Sequence, residues 1–104
     1  GAASRVRYIE VVNAQHFDAF NTLSGWDTRF VPLHVYFNKA MDAMYAHLST
    51  GAALPPSQIV RGVPRGGTAG AAPAVTIANI PPAASAPAAG DRITFNGNTV
   101  MIPN

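Results

Sequence analysis

The sequence predicts an α/β arrangement: an apolar strand, a histidine-bearing loop and an amphipathic helix, then an Ala/Gly/Pro-rich extended segment and a terminal β-hairpin. Three observations predict it. Val6, Tyr8, Ile9, Val11 and Val12 form a β-branched and aromatic run that ends at Asn13. Leu33, Phe37, Ala40, Met41, Met44 and Leu48 repeat at three- and four-residue spacing. Glycine, alanine and proline then make up most of residues 62–90. Such a stretch buries too little apolar area to offset its backbone entropy, so it stays extended or mobile unless docked on something.

The strand is expected over residues 5–13. Its consecutive apolar pairs break strict alternation, which reads as a strand buried on both faces, as in a parallel sheet. No other run nearby reads as its neighbour, so the sheet is expected to be completed by chain beyond these 104 residues. The helix is expected over residues 32–49, with Pro32 in the first turn and Gly51 as the stop. Asp27 or Thr28 is expected to support its entry, and His47 sits in the last turn, where the helix dipole favours positive charge. Val35, Tyr36 and Tyr45 widen the apolar surface, so the helix should pack against more than one neighbour. Within the Ala/Gly/Pro-rich part, residues 74–80 are the best candidates to dock as a strand. Residues 92–102 read as a hairpin turning on Asn96-Gly97. The organisation is therefore residues 1–61 as part of a larger domain, 62–90 as an extended linker and 91–104 as a hairpin tail.

Composition excludes several classes. Only 12% of the residues are charged, against about 25% in ordinary soluble domains, which fits a secreted protein or a face covered by more chain. The net charge is +2, with Arg5, Arg7, Arg29, Arg61, Arg65 and Arg92 scattered. No basic face interleaved with aromatics exists to stack nucleic-acid bases. There is no cysteine, hence no disulfide and no thiol nucleophile, and no apolar run long enough to span a membrane.

The most informative stretch is Val11-Val-Asn-Ala-Gln-His-Phe-Asp-Ala-Phe20. In serine-esterase chemistry the general base is held on a loop at a strand's C-terminal end, within reach of the nucleophile's hydroxyl. In the α/β-hydrolase order of serine, acid and histidine, the histidine comes last. Strand, His16 loop and helix match that closing element. The residues alone leave a structural role open, with His16 bonded to backbone above Phe17 and Phe20. Asp18 either orients His16 or caps a turn, and the turn is the better reading. His34 reads as a helix-face residue. A zinc site from His16, His34 and His47 is disfavoured, because none stands at the i, i+4 spacing of paired helical ligands.

The run Arg7-Tyr-Ile-Glu-Val-Val-Asn-Ala-Gln-His-Phe-Asp-Ala-Phe20 resembles the C-terminal part of bacterial D-(−)-3-hydroxybutyrate oligomer hydrolases. So do Asp27-Thr-Arg-Phe-Val-Pro-Leu-His-Val-Tyr-Phe37, Met44-Tyr-Ala-His-Leu48, Leu54-Pro-Pro-Ser-Gln-Ile-Val-Arg61, Pro64-Arg-Gly-Gly67 and Ala89-Gly-Asp91. The resemblance implies the C-terminal portion of a secreted or periplasmic serine carboxylesterase that cleaves 3-hydroxybutyrate oligomers to monomers in polyhydroxybutyrate degradation. It carries His16 over as general base and needs no cofactor or metal. Its partners are the oligomer ester and the remainder of the hydrolase chain. Phe17, Phe20 and Trp26 would line the acyl pocket, or else be core.

No Gly-x-Ser-x-Gly elbow occurs, and Ser4, Ser24, Ser49, Ser57 and Ser85 lack that context. The nucleophile and acid are therefore expected upstream, and the isolated chain is expected to be inactive. Two rival readings remain: a non-catalytic interaction or structural module, and the end of another α/β-hydrolase such as a feruloyl esterase or tannase relative.

Overall fold

A computed structural model describes residues 6–104; Arg5, at the start of the expected strand, lies outside the described residues. The β-branched run forms strand β1, Ile9–Val12. A short 3-10 helix follows at Asp18–Thr22, then helix α1, His34–Thr50. Strand β2, Gln58–Arg61, lies parallel to β1 with Ile9 opposite Gln58 and Val12 opposite Arg61. Strand, helix and adjacent parallel strand make a βαβ unit, the connection that parallel pairing requires.

Two sequence expectations are corrected here. β1 does have a neighbour within the chain: Gln58-Ile-Val-Arg61, a run too short and too closely flanked by Pro56 and Gly62 to stand out. And the buried strand is β2, not β1. Ile59 and Val60 are buried while β1 is half-buried, with Tyr8 and Val6 exposed beside it. Val31 and Ile93 complete a small core. Ile93 is held by its N–H donating to Ser57 O at 3.1 Å, and Arg92 bridges Gln58. A core of this size leaves the chain expanded. Its radius of gyration is 15.3 Å, against about 13 Å for a compact domain of similar length.

Helix α1 begins at His34, not Pro32. Asp18, fifteen residues before Leu33, supplies the acceptors at its N-terminus, rather than Asp27 or Thr28: Oδ1 accepts from Leu33 N and Oδ2 from His34 N, both at 2.7 Å. Gly51 ends the helix in the left-handed region at φ 75°, its N–H donating to His47 O, as Gly at this position does where a side chain would be strained. The expected apolar stripe exists but covers nothing among the described residues. No α1 residue is buried, and Phe37 and Leu48 are 64% and 69% exposed. Instead the helix is tied through Tyr36, whose hydroxyl donates to Pro81 O at 2.8 Å, and through His47 Nδ1 and Ala52 O.

Residues 62–90 are extended and docked. Gln58, 2% exposed, clamps them: its Nε2 donates to Ala84 O at 2.8 Å and its Oε1 accepts from Ala84 N at 2.7 Å. Residues 74–80 form no strand. Thr76 to Ile80 turn, because Asn79 Oδ1 accepts from Thr76 N and Asn79 N donates to Thr76 O, a local bond that competes with extended pairing. Asn79 Nδ2 then reaches Val63 O at 3.0 Å.

The hairpin forms as β3, Thr94–Asn96, and β4, Thr99–Met101, antiparallel with Asn96 opposite Thr99. It is shorter than expected and turns on Gly97-Asn98. Gly97 takes the positive φ, at 60°, and Asn96 does not.

Candidate functional site

At the end of β1, Asn13 adopts φ 62°, the one non-glycine positive φ among the described residues. Its backbone O accepts from Val31 N at 2.9 Å and its Nδ2 donates to Gly62 O at 2.8 Å. This residue turns the chain out of the strand and ties the start of the His16 loop to β2. Ala14 bridges Val31. Gln15 then folds over the loop: Oε1 accepts from Phe17 N at 2.9 Å, while Nε2 donates to Phe17 O and, at 3.2 Å, to Asn21 Oδ1. His16 stands at the bend so fixed. It is exposed, and its ring makes no hydrogen bond among the described residues.

The predicted aromatic residues come together with it. His16 meets the edge of Phe17 at 4.5 Å, Phe17 meets Phe20 at 5.7 Å, and Phe20 meets Trp26 at 5.8 Å, all near perpendicular. Trp26 continues to Phe30 at 5.1 Å. Edge-to-face rings of this kind hold one another in place, so His16 is the exposed end of a continuous aromatic ladder.

Asp18 does not orient His16. Besides seating α1, its Oδ2 lies 2.5 Å from His34 Nδ1. Burial opposes the ionisation of Asp18, but the hydrogen bonds from His34 and Leu33 outweigh it and hold the carboxyl below its ordinary value. Asp27 is buried, and its desolvation is likewise outweighed by backbone N–H donors, which include Ala72 and Gly25.

A pocket of about 330 Å³ opens beside the 3-10 helix, lined by Asp18, Asn21, Asp27, Phe30, His34 and Arg65 among others. His16, Phe17, Phe20 and Trp26 are not among its lining residues. No three His, Asp or Glu side chains among the described residues converge to hold a metal ion, and no helix there is long and apolar enough to cross a membrane.

Against known proteins, the family model described as 3HB-oligomer hydrolase (3HBOH) matches residues 1–104. The chain belongs to the 3HB-oligomer hydrolase family. It is 57% identical to the D-(−)-3-hydroxybutyrate oligomer hydrolase of Paracidovorax citrulli over 100% of the chain and 15% of that protein. It is 60% identical to the one from an Azoarcus species, over 97% and 15%, and 54% identical to that of Cupriavidus necator, over 100% and 15%. The chain thus spans about 15% of the length of these curated relatives. No solved structure matches it.

His16 lies on the loop after β1 where the sequence reading places it, and its ring meets those of Phe17, Phe20 and Trp26 in series. Sequence reasoning missed the pairing of Asp18 with His34, and it missed Asn21 and Arg65. The signal for Asp18 was faint: an acid followed, fifteen residues on, by a helix start with no acceptor of its own.

Proposed function

We propose that this chain is the histidine-bearing part of a carboxylic ester hydrolase of the α/β-hydrolase type, acting outside the cytoplasm on 3-hydroxybutyrate oligomers. The observation that carries the reading is the placement of His16, at a pinned bend just past β1, in a chain of this family. The βαβ unit supports the fold assignment. The uncovered stripe of Phe37, Met41, Met44 and Leu48 supports a partner in the remainder of the hydrolase chain.

In this reading a serine Oγ from the parent chain attacks the ester carbonyl while a ring nitrogen of His16 takes its proton. The proton then goes to the departing 3-hydroxyl oxygen as the acyl–serine ester forms. Water repeats the sequence: His16 removes its proton, hydroxide oxygen bonds to the acyl carbon, and serine leaves protonated. No cofactor is required. Phe17, Phe20 and Trp26 offer the acyl chain an apolar wall beside the base.

A second reading places the base at His34, because Asp18 Oδ2 at 2.5 Å from its Nδ1 is the arrangement that leaves Nε2 bare for proton transfer. Hydrolysis of 3-hydroxybutyrate trimer by the full-length protein decides. His16→Ala is expected to lower kcat by about 10³-fold or more, and His34→Ala by less than about tenfold. The reverse order would move the base to His34, and loss in neither would leave the loop a structural element.

A further inference from the structure

Both carboxylates in the pocket beside the 3-10 helix already have partners. Asp18 accepts from Leu33 N, His34 N and His34 Nδ1, and Asp27 accepts from Gly25 N and Ala72 N. The donors facing them are not so provided. Arg65 Nη1 and Nη2 reach only backbone carbonyls, of Pro73 at 3.3 Å and Asn21 at 3.1 Å. Among the described residues Arg65 has no carboxylate partner, and its buried Nε has no acceptor.

Asn21, 8% exposed, holds the second orphan donor, its Nδ2. The orientation of that amide is fixed. Asn21 Oδ1 accepts from Gln15 Nε2, and Gln15 is itself held by Phe17 N donating to its Oε1. Turning the Asn21 amide over would set two N–H₂ groups against each other. The unused donor therefore belongs to the arrangement.

We propose that this pocket is a subsite for a small carboxylate, taken by Arg65 and Asn21, with Phe30 and Val75 as its apolar wall. A pocket of about 330 Å³ has room for a four-carbon acid and for the acid end of a longer oligomer. A guanidinium and an amide lining one pocket are donors that suit a planar carboxylate. Both orphan nitrogens are buried, so a ligand reaches them only with a local side-chain shift. The ligand's identity rests on the hydrolase reading: it is the acid end of the oligomer or of the released monomer.

The test is calorimetric titration of (R)-3-hydroxybutyrate into the full-length protein, with (R)-1,3-butanediol as the neutral probe. The acid is expected to bind at least tenfold more tightly than the diol. Asn21→Asp keeps the acceptor for Gln15 and gives Arg65 a partner, yet should weaken the acid at least tenfold; Arg65→Gln should do the same. Equal binding of acid and diol, or unchanged binding in both variants, would overturn the subsite and leave the two donors to water. Binding needs no turnover, so a protein that binds the acid but cleaves no trimer keeps the subsite and loses the hydrolase reading. Preference for the trimer acid over its methyl ester, lost in Asn21→Asp, assigns the site to the substrate end. Monomer binding without that preference assigns it to the product.

Discussion

Asp18 Oδ2 takes two hydrogen bonds from a single residue, His34: the backbone N–H at 2.7 Å and the ring Nδ1 at 2.5 Å. The His16 loop and helix α1 are thereby joined through one carboxylate. Its pKa is lower in the folded protein than its ordinary value of 3.8. A carboxylate so shifted contributes stability that is full above the unfolded pKa and is lost as pH falls through the folded one. The contribution of Asp18 to thermal stability should therefore be lost as pH falls below about 4. Asp18→Ala should cost about 0.5–2 kcal/mol at pH 7, as loss of a helix cap does, and show a shallower acid decline. An unaltered decline would place the titration elsewhere.

Asp27 ties the chain before α1 to the Gly-rich segment through Ala72 N at 3.2 Å. Asn in its place would turn an N–H₂ toward one of two N–H donors. Trypsin cleavage after Arg65 should be several-fold faster in Asp27→Asn at pH 7. An unchanged rate would mean that the other contacts of this segment suffice.

At Asn13 two costs can be separated. Asn13→Ala loses the bond to Gly62 O and sets alanine at φ 62°, for a loss of about 1–3 kcal/mol. Asn13→Gly loses only the bond. Denaturant titrations should rank wild type above Asn13→Gly and Asn13→Gly above Asn13→Ala; equal losses would show that φ contributes nothing.

The close packing at Gly62 admits no side chain. A Cβ there would stand 2.5 Å from Val12 O and 2.9 Å from Val31 Cγ2. Gly62→Ala should destabilise by about 1–3 kcal/mol through overpacking, with the midpoint of urea unfolding as the measure. No loss would mean that β1 and β2 separate there at little cost.

Local signals carried local structure. The α1 stripe, the Gly51 stop and the β1 run were all legible, because their causes lie within a few residues. β2 was not, since four residues become a strand only through a partner 49 positions earlier. Asp18 as a helix cap, Gln58 as a clamp and the orphan donors of Asn21 and Arg65 are likewise products of distant chain segments meeting. The turn at residues 76–80 was misread as a strand because Val75, Ile77 and Ile80 suggest β-structure while Asn79 overrules them through side-chain bonds. The place of His16 on the loop after β1 was legible; the bonds of Asn13 and Gln15 that fix that loop were not.

The parallel pairing of Ile9 with Gln58 also bears on how the protein is made. At about 5–20 residues per second, β1 leaves the ribosome roughly 2–10 s before its partner strand. Throughout that interval Gly62 is not yet available to accept from Asn13, and Val31 joins only part-way through it, so the bend at His16 has no fixed direction. A nascent chain halted before residue 58 would carry the histidine without the geometry, so the proposed base is set in place only by residues made after it.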